Sequence, residues 1–183
     1  MSATITDTIS VRAEKAIAAH IRGHRDANAD TSTYTGDVNY DCTRGGSLSG
    51  VGIYEGRITQ KRSSPSVIVM CSSTDKPWDV VEWYRATVEI KLFTHRHESA
   101  SSVELAEVVH NTRSKAIYDL ILNEETLKEA LNRVPAPAAD SRAVTEFTVM
   151  GSDLAGNSGD VSDEMLTESW TLELFCAPYD AAG

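Results

Sequence analysis

Trp83–Phe93 reads WYRATVEIKLF, and its alternation decides the fold. Tyr84, Ala86, Val88, Ile90 and Leu92 recur at every second position, with Arg85, Thr87, Glu89 and Lys91 between them. Side chains of a strand alternate between its faces, so this period describes a long strand with one face buried and one face polar. The same period returns near the chain end in Trp170, Leu172, Leu174 and Cys176, with Thr171, Glu173 and Phe175 on the other parity. Ser66–Met70, SVIVM, follows Pro65 and is short, β-branched and apolar, as a central strand requires. Its closeness to the long strand predicts an antiparallel hairpin, with a loop at Thr74–Pro77.

Helices fill the spaces between these strands. From Thr6 to Arg22, the residues Ile9, Ala13, Ala16, Ile17, His20 and Ile21 fall on one side at three- and four-residue spacing, and Gly23 is the expected stop. Ser101 and Glu104 form a capping box ahead of a second helix of about 20 residues. Its inner face runs through Val103, Ala106, Val109 or His110, Arg113, Ala116, Ile117, Leu120 and Ile121. A further short turn after Asn123 would use Leu127 and Leu131, and Pro135 and Pro137 end it. Ala143–Met150 alternates again and is read as a strand.

The expected fold is α+β: a single mixed, mainly antiparallel sheet packed by a long helix and an N-terminal helix. Its 183 residues suit one domain spanning 1–183, with extended loops near 28–62 and 151–165. The second of these, GSDLAGNSGDVSDE, is rich in glycine and acid and is read as a long acidic connection within a hairpin. The first contains GGSLSGVGIYEGRITQKR, in which Val51, Ile53 and Tyr54 would open a short strand. The glycines there lack the Gly-Lys-Ser/Thr ending of a phosphate loop and the strand that precedes a dinucleotide fingerprint.

Composition removes several classes of function. The net charge of −10, from 27 acidic and 17 basic residues, opposes tight duplex binding through neutralised phosphates. Cys42, Cys71 and Cys176 are odd in number and widely spaced, which suits neither a disulfide scaffold nor a zinc knuckle. No apolar run approaches the roughly 20 residues of a membrane span, and no secretory signal opens the chain, so a cytoplasmic residence without a membrane partner is expected.

Chemistry-bearing constellations are thin. His95 and His97 would share a strand face and, with His110 on the next helix, offer a set of candidate metal ligands for a metal-dependent enzyme. A solvated strand-to-helix turn accounts for them better. No serine sits in a nucleophile elbow, and the pairs Glu124/Glu125 and Asp163/Glu164 are adjacent on turns rather than opposed across a cleft. The expectation is a nonenzymatic protein with no cofactor and no metal. Candidate partner or subunit contacts are the basic cluster Arg57, Lys61 and Arg62, the aromatics Trp83, Phe93 and Phe175 on the polar parity, and the acids Asp153, Asp160, Asp163 and Glu164.

The N-terminal helix, the strand PSVIVM, the strand WYRATVEIKLF followed by HRH, the helix through VELAEVVH and the closing strand ESWTLELFC resemble the tail terminator family of long-tailed bacteriophages. These are also called tail completion or minor tail proteins, and the resemblance covers roughly residues 5–178 in element order and strand character. It implies a structural protein of the virion neck, assembled in the host cytoplasm. Six copies would form a ring that caps the tail tube, stops its polymerisation and joins it to the head connector or stopper protein. DNA would cross the channel without specific binding, and six copies at −10 each would carry −60. A tail-assembly chaperone or adaptor of the same body is the alternative to a ring component.

Overall fold

The computed structural model describes residues 9–25, 48, 50–56, 65–75, 83–96, 103–122, 127–128, 131, 148–162 and 164–177. Helix α1 spans Ile9–Arg25, β1 Gly52–Glu55, β2 Ser66–Asp75, β3 Tyr84–His95, α2 Val103–Leu122, β4 Thr148–Val161 and β5 Met165–Ala177. The strands form one sheet in the order β1-β2-β3-β5-β4. Only β1 and β2 run parallel; every other neighbouring pair is antiparallel. The expected α+β class, with a mixed and mainly antiparallel sheet, is therefore what the chain adopts.

Alternation places the core. Ala86, Val88, Ile90 and Leu92 of β3 are wholly buried, as are Leu172, Leu174 and Cys176 of β5. The register sets Ala86 opposite Leu174, Val88 opposite Leu172 and Ile90 opposite Trp170, so the apolar parities of the two strands share one face. Val67 and Val69 extend that face onto β2, opposite Leu92 and Ile90. The residues Ala13, Ile17 and Ile21 of α1 and Ile117, Leu120 and Ile121 of α2 join the same cluster. Helix α1 lies over β1, β2 and β3, and α2 over β3 and β5. The two helices meet where His20 Nε2 lies 3.2 Å from the carbonyl oxygen of Leu120. Leu127 and Leu131 add to the core, as their spacing predicts.

Two element ends differ from the sequence expectation. Helix α1 runs through Gly23 to Arg25, because a glycine costs a helix about 1 kcal/mol without ending it when the backbone stays right-handed. Strand β2 continues past Met70 to Asp75, so Thr74 and Asp75 are strand and not loop; a bulge between Cys71 and Ser73 lets the ladder with β3 resume.

The largest correction concerns the expected loop at 151–165. Gly151–Val161 is strand, paired with β5 along its length, and the hairpin turns tightly after Ser162. Ser162 N donates to Met165 O at 2.9 Å, and Met165 N donates to Ser162 Oγ at 3.0 Å. This strand hides from periodicity because it is an edge: Asn157 to Val161 are exposed on both parities, so no apolar alternation marks them. The short strand expected within the glycine-rich segment is present as β1; the capping-box serine Ser101 and residues 143–147 lie outside the described residues.

Candidate functional site

The polar parities of β2, β3 and β5 form a sheet face that no described helix covers. Outward-facing residues include Ile68 and Met70 of β2, Arg85, Glu89, Lys91 and Phe93 of β3, and Thr167, Ser169, Thr171, Glu173 and Phe175 of β5. Most are half-buried by their neighbours within the sheet. Charges on this face pair locally. Arg85 holds Asp75 in a two-point contact, Nε to Oδ1 at 3.1 Å and Nη2 to Oδ2 at 2.6 Å, and lies 3.8 Å from Glu173. The Arg85 hydrogen bond holds the Asp75 carboxyl below its ordinary range. Lys91 pairs with Glu89 at 2.8 Å.

The candidate aromatics share this side but not one patch. Phe93 stands opposite Ser66 and Thr167, whereas Phe175 stands opposite Arg85 and Gly151. Eight residues of β3 separate those rows, roughly 26 Å of strand. Trp83, 37% exposed, precedes β3 at the Phe175 end. The candidate acids gather along β4: Asp153 lies directly across from Glu173, Asp160 across from Thr167, and Glu164 in the turn. All three are exposed, and among the described residues no ion pair neutralises them. Like charges opposite one another on a sheet repel, and Arg85, 3.8 Å from Glu173, offsets part of that repulsion in the Asp153/Glu173 row. Arg57, Lys61, Arg62, Asp163 and His97 lie outside the described residues.

Of the candidate histidines, His95 and His110 do not converge. His95 takes the outer parity of β3, while His110 reaches the inner face from α2 and its Nδ1 lies 3.0 Å from Oγ1 of buried Thr94. The sheet stands between the two imidazoles. Burial, with Arg113 as a second cause, pushes His110 below its ordinary value and keeps it neutral. Among the described residues no three His, Cys, Asp or Glu side chains come close enough to hold a metal ion. Cys71 and Cys176 are free thiols on the buried parity, pushed up to about 11 and about 12 chiefly by burial, which leaves them poor nucleophiles at neutral pH.

Sequence reasoning passed over Arg96, hidden between two histidines. Its N donates to Glu164 O at 3.0 Å, Nη1 to Ser162 O at 3.4 Å and Nη2 to Glu107 Oε1 at 3.1 Å. It therefore ties the end of β3 to the β4–β5 turn and to the first turns of α2. The signal available was a lone arginine at a strand end, too common to single out. No described helix is long and apolar enough to cross a membrane. Among the described residues, one sheet face has no helix over it, and β4 carries Asp153 and Asp160 with Glu164 in the turn beyond it. A comparison with protein-family models finds none that matches this chain, and a comparison with curated proteins finds no match.

Proposed function

We propose that this protein is a nonenzymatic structural subunit of the head-to-tail junction of a long-tailed bacteriophage. Six copies form a ring that caps the tail tube, halts its growth and presents a surface to the head connector or stopper. The observation that carries the reading is the one-sided architecture: helices cover one face of a five-stranded sheet, and the other face and the β4 edge have no covering element among the described residues. An uncovered face and a long unpaired edge are liabilities in a monomer and contact surfaces in a closed assembly. The resemblance in element order supplies the identity of that assembly. A net negative subunit also suits a channel wall, because phosphates slide past a surface that does not bind them.

The placement of His95 and His110 on opposite sides of the sheet favours this reading over a metal site that the two would share. A low-dose electron-microscopy reconstruction of the neck of the parent particle tests the proposal. A sixfold ring of this chain between tube and connector is the expected result. Absence of the chain from purified virions, by mass spectrometry, would favour an assembly chaperone and overturn it.

A further inference from the structure

Charge is unevenly placed along this chain. Of its 27 acids and 17 bases, eight acids and no base fall in residues 143–183, which leaves 19 acids against 17 bases before them. Nearly all of the net −10 therefore belongs to the stretch that folds into β4 and β5. The two edges of the sheet are unequal as well. On one side β1 covers only Ser66–Val69 of β2, and the Cys71 amide beyond it donates to Glu14 Oε1 at 2.9 Å, so a carboxylate from α1 closes that edge where β1 runs out. On the other side β4 has β5 on its inner flank and no described strand on its outer flank. Register shifts at Met150 and Ala155 break the line of its edge groups, so the longest regular run is Gly156–Val161, roughly 20 Å of strand. Asn157 to Val161 are all exposed, which leaves the run open on both faces. Free N–H and C=O groups on such a run are a template for an added strand.

Carboxylates flank the run on both faces and set the chemistry of that strand. Asp160, across from Thr167, lies on the outer face. On the inner parity Gly159 stands across from Glu168, and a Cβ placed on the glycine would lie 2.9 Å from Glu168 Oε2. The Glu168 carboxylate thus lies over Gly159, toward the free edge, in space that any side chain there would take. No described cation pairs with Asp160 or Glu168. A strand with basic side chains at successive positions, one for each face, answers both. A second copy is a poor source: it brings its own −10, and its Arg85, Lys91, Arg96 and Lys115 are matched to carboxylates of their own subunit. We propose that the Gly156–Val161 edge binds an extended basic segment of a different protein as an added strand, with lysine or arginine reaching Asp160 on one face and Glu168 on the other. That this protein belongs to the head-to-tail junction rests on the function proposed above.

A labelled octapeptide, four central lysines between threonines and capped at both ends, tests the contact against the full chain at low ionic strength. Fluorescence anisotropy reads binding and amide exchange maps the site. Saturable binding that slows exchange of Gly156–Val161 and weakens as salt rises is the expected result. Two controls alter only the peptide: glutamate in place of lysine should abolish binding, and methylation of its backbone nitrogens, which keeps the charge and removes the ladder bonds, should weaken it about tenfold or more. On the protein, Asp160→Asn with Glu168→Gln should weaken binding about tenfold. Gly159→Ala changes no charge but displaces Glu168, and should weaken it about threefold. Glu55→Gln, at the opposite edge, should leave it within about twofold. Circular dichroism checks each variant, and the peptide controls decide the matter on the wild-type chain should one unfold. Absence of saturable binding, protection elsewhere than Gly156–Val161, binding that survives nitrogen methylation, or a folded Asp160→Asn/Glu168→Gln chain that binds as wild type does would overturn the contact. A ring in the neck whose subunits ignore the peptide keeps the function and discards this contact. Peptide capture by a chain absent from virions keeps the contact and discards the ring.

Discussion

At Cys71 the backbone amide faces the end of β1 and finds a helix carboxylate, Glu14 Oε1, 2.9 Å away. Hydrogen bonds to charged acceptors exceed neutral ones, and a stranded amide carries its own cost, so Glu14→Ala should lower stability by about 1–2 kcal/mol in urea unfolding. Glu14→Gln keeps an acceptor and should lose less than half of that. Glu14 is also the second cause, after burial, of the raised Cys71 thiol. The same glutamine variant should therefore speed iodoacetamide labelling of Cys71 at pH 8, read by peptide mapping; an unchanged rate would contradict the assignment. His110 gives a pH test. Its folded value lies below the ordinary 6.5, so the unfolded chain binds the proton more readily. Its contribution is intact above about pH 6.5 and is lost as pH falls through the depressed folded value. His110→Asn, which keeps a polar group toward Thr94, should flatten stability against pH across that window.

Among the elements, β5 tests face assignment most sharply. Leu172 is wholly buried opposite Val88, whereas Thr171, one residue earlier, faces outward opposite Glu89. Leu172→Ala should cost about 2–5 kcal/mol through lost burial and the cavity left behind, and Thr171→Ala under about 1 kcal/mol, both from chemical denaturation. Equal costs would mean that the strand register is wrong. The strands β3 and β5 were legible because one face of each is apolar without interruption from Ala86 to Leu92 and from Trp170 to Cys176. Strand β4 was legible only at Thr148–Met150, since beyond Ala155 both of its faces meet water and its glycines read as loop. Its strand state comes from the ladder with β5, a long-range partner that local propensity does not contain.

For the whole molecule, the proposed assembly predicts where protection will change. Hydrogen exchange of Gly156–Val161 should be fast in the dispersed subunit and slow at least tenfold on assembly, while the amides of β3 stay protected in both states. Equal exchange of Gly156–Val161 before and after assembly would exclude this edge from the contact. The same scale decides the histidines. Spacing alone allowed His95 and His110 to meet, but α2 packs on the inner face of the sheet, and His95 points from the other. Likewise Phe93 and Phe175 share a parity, yet the antiparallel register sends them to opposite ends of the sheet.

Period-two and helical spacing were enough to specify the class, the buried residues of β3, β5, α1 and α2, and the antiparallel β2–β3 hairpin, because burial against water acts on each element locally and marks it in place. Strand order, the closure of one edge by Glu14, the strand state of β4, the tie through Arg96 and the separation of the histidines belong to tertiary structure. The edge closure and the Arg96 tie join groups far apart in the chain, 57 residues between Glu14 and Cys71 and 66 between Arg96 and Ser162, and only the closed register brings them within hydrogen-bond distance.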